Sequence, residues 1–324
     1  MGDSAYAVTN PLPAFAVKLA CPDLTRWREG NTGVPGFTRR DSGRPGAHVG
    51  LLALTHGNEI AGAIALARLL EAGLIPERGC ITFGFVNLAA FARFDPRQPT
   101  ASRFVEEDMN RLWDEVVLDG PRHSSELSRA RQVRPLLDEI DFLLDLHSML
   151  WPSGPLILCG ASEKGRALAV GIGSPELVVA DQGHASGRRI IDYTPFIDAA
   201  TPRAANLVEA GQHWEPETVQ ATLAAIAGLL RRAGVIERHP ALPAPPAGAR
   251  PPRFAEVVRT VTAATAQFCF VQPFHGGDIV PACNTLIALD GEAEVRTPCA
   301  DCLLVMPSLR PSRGHTAVRL ARVV

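Results

Sequence analysis

No stretch of the chain approaches the roughly eighteen uninterrupted apolar residues that a membrane span requires, so no membrane partner is expected. The early segment "NPLPAFAVKLA" is too short and too Pro-broken for a secretory leader. "MGDSAY" places Tyr6 where a myristoylation signal needs Ser or Thr, and the expected location is therefore cytoplasmic. A surplus of charge is also missing. Lys and Arg number 32 against 34 Asp and Glu, a net charge of -2, with an isoelectric point of about 6.5. No global field draws the protein to nucleic acid or to an anionic surface, which leaves a small molecule as the expected partner. A homo-oligomer is left open by the sequence.

Cysteine is too sparse and too scattered for a disulfide framework. The seven residues are an odd number, and Cys80 in "CITFGFVN" and Cys159 in "PLILCG" lie in strand-like runs, as expected of buried reduced thiols. The one pair with metal or redox spacing, Cys299 and Cys302 in "CADC", has no second pair to complete a site. It reads as a strand-connecting turn, with no role assigned. Internal repeats are absent, and the chain has only two tyrosines.

What is present is a globular composition, 46% hydrophobic and 20% charged over 324 residues, enough for one large domain and a smaller one. Through the first two-thirds, strand-like runs alternate with helical patterns. "HVGLLAL" precedes "NEIAGAIALARLLEAG", whose Ile60, Ile64, Leu69 and Leu70 recur at helical spacing and whose Gly73 suits a helix stop. "GCITFGFVN", "DFLLDL", "PLILC" and "ANLVEA" read as strands, "LSRARQVRPLLDEI" as a helix, and Pro216 opens a further helix over "PETVQATLAAIAGLLRRAG". This alternation predicts an α/β fold with a mixed, mostly parallel sheet flanked by helices. "HPALPAPPAGARPP" holds six prolines and no periodicity, and beyond it only short β-type runs follow. The expected organisation is an α/β domain over 1–238, a Pro-rich linker over 239–252 and a smaller all-β domain over 253–324.

In open α/β sheets ligands bind at the carboxyl ends of strands, and three such junctions carry ligand-type side chains. His56 and Glu59 follow "HVGLLAL"; His147 follows "DFLLDL", 88 residues beyond Glu59; Glu209 closes "ANLVEA". Two imidazoles and one carboxylate form a catalytic zinc set that leaves a position for water, and a separate glutamate can then act as base. Asp145, two residues before His147, shares its strand face and can orient a ligand. "SRFVEEDMNRLW" adds Arg103, Asp108, Asn110 and Arg111, a set suited to binding anions and stabilising an oxyanion. His213, His184 and His275 read as wall or structural residues.

Taken together, HGNE at 56 to 59, the arginine at 103 followed by Asn110 and Arg111 in "DMNR", DLH at 145 to 147 and the glutamate of "VEAGQ" at 209 resemble the aspartoacylase and succinylglutamate desuccinylase family, a branch of the zinc carboxypeptidase superfamily. The Pro-rich break followed by a β region is similar as well. The resemblance implies one Zn²⁺ per chain held by His56, Glu59 and His147, with Glu209 as the carboxylate that activates water. It implies Arg103 as the residue polarising the scissile carbonyl, and Asn110 with Arg111 as the pair holding the substrate's α-carboxylate. The implied activity is that of a zinc-dependent hydrolase acting on the C–N bond of a linear amide, a small N-acyl amino acid or a close relative. Tyr193 and Arg203 are loosely placed candidates for the remainder of the substrate shell. Two alternatives stand beside this: a metallocarboxypeptidase trimming peptides with the same ligands, and a non-catalytic zinc- or ligand-binding protein.

Overall fold

The computed structural model describes residues 15–184, 186–245, 248 and 251–324. "MGDSAY", the start of "NPLPAFAVKLA" and residues 246, 247, 249 and 250 of the Pro-rich stretch lie outside the described residues.

In chain order the strands are β1 (Phe37–Asp41), β2 (His48–Ala53), β3 (Cys80–Phe85), β4 (Phe142–Met149), β5 (Leu156–Leu158), β6 (Leu177–Ala180) and β7 (Ala204–Gln212). After the Pro-rich stretch come β8 (Arg253–Thr262), β9 (Phe268–Phe270), β10 (Ile279–Val280), β11 (Leu286–Asp290), β12 (Ala293–Arg296), β13 (Cys302–Val305) and β14 (Thr316–Val323). The helices are α1 (Ile60–Glu71), α2 (Leu88–Phe91), α3 (Glu115–Leu118), α4 (Ser125–Leu137), α5 (Glu163–Ile172), α6 (Thr194–Ile197) and α7 (Pro216–Arg232).

Eleven strands form one mixed sheet in the order β1-β3-β2-β4-β7-β5-β6-β8-β14-β13-β10. At its centre β3, β2, β4 and β7 run parallel. The predicted mixed, mostly parallel sheet is present, with an antiparallel all-β region at the C-terminal end. That region attaches to the sheet edge through the parallel pairing of β6 with β8, while β9, β11 and β12 form a second, three-stranded sheet.

The side-chain alternation of the central strands divides the core into two layers. Val49, Leu51 and Ala53 of β2, Leu144 and Leu146 of β4 and Val208 of β7 pack against the buried faces of α1, α5 and α7. Leu52, Leu143 and Leu207 point the other way, to the side covered by Leu127, Ala130, Val133 and Leu137 of α4. Asp145, His147 and Glu209 share the parity of Leu143 and Leu207, so the polar groups emerge on the α4 side where the strands end.

The helix signals are used as their chemistry suggests. α1 stops at Gly73, whose φ of 67° is the left-handed conformation a helix end needs. Ser124 caps α4 by accepting from Leu127 N at 2.9 Å, and Pro216 opens α7. β1, β6 and α5 are elements beyond those the sequence pattern predicts. β1 is a polar edge strand, "FTRRD", and β6 is four residues long, so neither carries enough pattern to register.

Among the described residues no helix is long and apolar enough to cross a membrane. Cys299 and Cys302 sit in the apolar core of the C-terminal region, and burial, then the neighbouring Cys299, pushes the Cys302 thiol up to about 12.

Candidate active site

The carboxyl ends of β2, β4 and β7 stand side by side, with His147 directly opposite Glu209 in the β4–β7 register. At the end of β2 the chain must leave the sheet abruptly. Leu54, fully buried, takes a φ of 61°, a left-handed conformation that costs a leucine about 1 kcal/mol or more. The turn is secured by Asn87 N donating to Leu54 O at 2.9 Å. It projects His56 and Glu59 over the sheet end, and α1 begins at once after Glu59. Between them Gly57 packs so tightly that a Cβ would lie 2.4 Å from the Ala90 carbonyl carbon and 2.6 Å from Ser102 O. No larger residue fits there.

Both imidazoles turn the same nitrogen toward one carboxylate. His56 Nδ1 lies 2.7 Å from Glu59 Oε1, and His147 Nδ1 lies 3.1 Å from Glu59 Oε2. Each outer nitrogen meets another acid: His56 Nε2 is 2.9 Å from Asp108 Oδ1, and His147 Nε2 is 2.7 Å from Asp145 Oδ2. Thr55 Oγ1 donates to the other oxygen of Asp145 at 2.8 Å, fixing it. Glu59 thus lies between the two imidazoles, each of which also faces an aspartate, and the ligand atoms of His56, Glu59 and His147 all fall within 4.8 Å of one another. The N₂O donor set and its aspartate-oriented imidazoles fit a zinc-type ion.

The charge distribution bears the same imprint. Burial alone would raise Glu59, yet His56 and His147 hold it well below the usual carboxylate range. Burial would lower His147, but Asp145 and Glu59 raise it well above an ordinary histidine. Glu209 behaves oppositely. Burial, followed by the charge of Glu59, lifts it to about 8, and its Oε2 is buried with no hydrogen-bond partner among the described residues. A carboxyl group in that state can both take and return a proton near neutral pH.

The loop carrying Arg103, Asp108, Asn110 and Arg111 is anchored by a residue that no sequence motif marks. Glu126 of α4, 1% exposed, accepts from Val105 N at 2.7 Å, Glu106 N at 3.1 Å and Glu107 N at 3.3 Å, and from Asn87 Nδ2 at 3.0 Å. So held, Arg103 reaches Glu59 Oε1 and Asp108 Oδ2, each at 3.2 Å. Asn110 is clamped, its Oδ1 accepting from Ile190 N at 2.8 Å and its Nδ2 lying 3.3 Å from His147 Nε2. Arg111 donates to Asn110 O at 2.7 Å. Burial and then the guanidiniums of Arg103, Arg319 and Arg189 bring it down to about 10 against the pull of Asp108.

His56, Glu59, Arg103, Asn110, Arg111, His147 and Glu209 all line one cavity of about 850 Å³. Its far wall comes from the C-terminal region, through Met306, Pro307, Ser308, His315 and Arg319 among others. Tyr193 and Arg203 are not among the lining residues. Tyr193 is buried elsewhere, its hydroxyl donating to Asp138 Oδ1 at 2.7 Å and accepting from Arg134 Nε at 3.0 Å. His275 is also outside the cavity, 68% exposed. His213 is a hydrogen-bonded wall residue, 2.7 Å from Ser148 Oγ. His184, read from sequence as structural, lines the cavity, as does Arg319. The available signal for Arg319 was a cation flanked by apolar residues in "TAVRLA".

Comparison with known proteins agrees with the fold. Residues 45–168 match the family model described as the succinylglutamate desuccinylase/aspartoacylase catalytic domain. Among solved structures, succinylglutamate desuccinylase from Vibrio cholerae superposes with a TM-score of 0.65 at 18% identity, covering 90% of this chain and 86% of that one. A succinylglutamate desuccinylase/aspartoacylase from Rhodobacter sphaeroides gives 0.62 at 18% identity, over 89% and 88% of the two chains. The product-bound ectoine utilization protein from Ruegeria pomeroyi gives 0.60 at 16% identity, over 86% and 85%. At these identities the likeness is one of fold. No curated protein sequence matches the chain significantly.

Proposed function

We propose that this chain, whose residues 45–168 place it in the succinylglutamate desuccinylase/aspartoacylase family, is a zinc-dependent amidohydrolase that removes the acyl group from a small N-acyl amino acid or related compound. The observation that carries the reading is the meeting, in one cavity, of the His56–Glu59–His147 donor set with a buried carboxyl oxygen, Glu209 Oε2, that has no hydrogen-bond partner among the described residues.

His56, Glu59 and His147 would hold the Zn²⁺. When bound, the ion supplies Lewis acidity toward the scissile carbonyl and makes a water nucleophilic near neutral pH. The remaining work falls to the protein's own groups. Arg111 takes the substrate's α-carboxylate through its planar fork and so fixes the amide relative to Glu209. Asn110, with both ends of its amide engaged, holds the register of Arg111 against His147. Glu209 Oε2 receives the proton of the attacking water and hands it to the amine as the C–N bond breaks. Arg103, already beside Glu59, stabilises the charge that develops on the acyl oxygen. The C-terminal wall bounds the cavity and supports a small substrate rather than a polypeptide.

Glu209→Gln tests the assignment because it preserves shape and removes the base. The metal should remain at one equivalent per chain while turnover of N-acyl amino acids falls by roughly 10² or more. A metal-loaded Glu209→Gln protein with near-normal turnover would exclude the role. Release of C-terminal residues from a pentapeptide by the intact protein would favour a carboxypeptidase instead.

A further inference from the structure

His213 has no part in the chemistry above, yet it lines the same cavity while only 3% exposed. An irregularity in the sheet sets its position. In the β4–β7 register His147 faces Glu209 but Met149 faces Gln212, so Ala210 and Gly211 together oppose Ser148 in a β-bulge. Gly211 carries the bulge at a φ of 130°, where a Cβ would lie 2.9 Å from Thr218 Oγ1. The strand then closes against β4, with His213 N donating to Met149 O at 2.9 Å. Its neighbour is locked as well. Trp214 N donates to Gln212 Oε1 at 2.8 Å, and the fully buried indole, 5.3 Å from the imidazole between ring centres, donates through Nε1 to Asn58 O at 3.1 Å.

The two ring nitrogens of His213 have different surroundings. Nδ1 lies 2.7 Å from Ser148 Oγ, whereas Nε2 has no hydrogen-bond partner among the described residues. The serine hydroxyl has no other acceptor among them, so its proton goes to Nδ1, because a buried donor left unpaired is expensive. The ring's own proton then sits on Nε2. Burial keeps the imidazole uncharged at neutral pH, and the charges that act on it next are those of Glu59, Arg103, His56 and His147, the groups at the metal end of the cavity.

We propose that His213 is a further catalytic residue, whose Nε2–H donates to the acyl oxygen of the substrate as the carbonyl carbon becomes tetrahedral and shares with Arg103 the charge that develops there. The inference rests on the amidohydrolase reading. A donor held rigidly by Ser148, Met149 and Trp214 needs no reorganisation during the reaction, so its hydrogen bond is strongest in the transition state. The N–H bond of His213 stays intact throughout, since Glu209 both takes and returns the proton.

Two variants separate the nitrogens. Asparagine sets a polar atom where Nδ1 stands, keeping a partner for Ser148 but none for the substrate, whereas glutamine sets its amide nitrogen where Nε2 stands and does the reverse. The probes are N-acetylalanine, N-acetylglutamate, N-acetylphenylalanine and N-succinylglutamate, assayed on the metal-loaded full chain. On the compound turned over best, His213→Asn should lower kcat by roughly 10²–10³ with KM within about threefold, the scale of removing one oxyanion donor. His213→Gln should stay within about tenfold of the parent, and both variants should keep their metal. A phosphinate analogue of that compound should lose affinity for His213→Asn in step with kcat/KM. An active parent in which the asparagine variant matches or exceeds the glutamine variant, or in which only KM moves, overturns the role of His213 and leaves the amidohydrolase reading standing. The ¹⁵N-labelled parent gives a readout that needs no variant to fold: His213 should carry its proton on Nε2, and a proton on Nδ1 overturns the donation. A metal-loaded parent that hydrolyses none of the four compounds overturns the amidohydrolase reading, and the role of His213 falls with it.

Discussion

Replacing Glu126 should damage the substrate side of the cavity while sparing the metal side. Its carboxylate gathers three successive backbone N–H groups of the loop that leads into Asp108, Asn110 and Arg111, and the amide of Asn87 besides. A hydrogen bond to a charged group contributes about 1.5–3 kcal/mol, and a donor left unsatisfied in the interior costs about 1–3 kcal/mol. The Asn87 bond is fully buried, whereas Glu106 is exposed, so water can take over part of the loop's loss. Discounted in this way, Glu126→Ala should destabilise the fold by about 2–4 kcal/mol, and Glu126→Gln by about half as much, since one acceptor oxygen remains. For a chain of this size that is a fall in Tm of roughly 5–10 °C for the alanine variant. Loosening the loop by even about 1 Å displaces Arg103 and Arg111 and should reduce kcat/KM by roughly 10²-fold. His56, Glu59 and His147 are placed by strand ends, so the metal content of the folded variant should be unchanged. Urea unfolding, metal analysis and steady-state kinetics on the same preparations would decide. Stability within about 0.5 kcal/mol of the parent, with kcat/KM intact, would show that Glu126 does not hold this loop.

Other perturbations separate the remaining roles. His147→Ala should lose most of the bound metal after gentle dialysis; full occupancy would mean that the ligand set is wrongly drawn. Arg111→Lys, which forfeits the planar fork, should chiefly raise KM, whereas Arg103→Ala should chiefly lower kcat, by roughly 10²–10³, and the opposite pattern would exchange their roles. Burial lowers His213 to about 4 from an ordinary value near 6.5, so the unfolded chain binds the extra proton first. The stability His213 confers is complete above about pH 6.5 and is lost as the pH falls toward about 4. Denaturation curves across that interval should therefore be less pH-dependent in His213→Gln than in the parent, and superimposable pH profiles would contradict the assignment.

The residues of the candidate site were legible because strand chemistry is local. A two-residue period fixes which side chains share a face, so Asp145 could be set beside His147 before their strand was paired. The abrupt change from "HVGLLAL" to His56 marked a strand end, and Gly73 and Pro216 punctuated helices for reasons internal to the backbone. What the sequence alone could not decide is whatever depends on two distant segments meeting. The parallel register that sets His147 against Glu209 arises from packing across the whole sheet. The same is true of the antiparallel insertion of β5 between β7 and β6, and of the polar edge strand β1. Tyr193 looked available to the substrate, but the fold gave its hydroxyl to Asp138 and Arg134. Glu126 stands one residue before the helix pattern "LSRARQVRPLLDEI", and only the loop folded over it gives it a role. Arg319 was one cation in an apolar run, and only the closing of β14 onto β8 and β13 turned it toward His184 and the cavity. Periodicity and turn chemistry act over a few bonds and are written in the sequence, whereas burial and charge pairing are set by neighbours that the chain brings together only when it is folded.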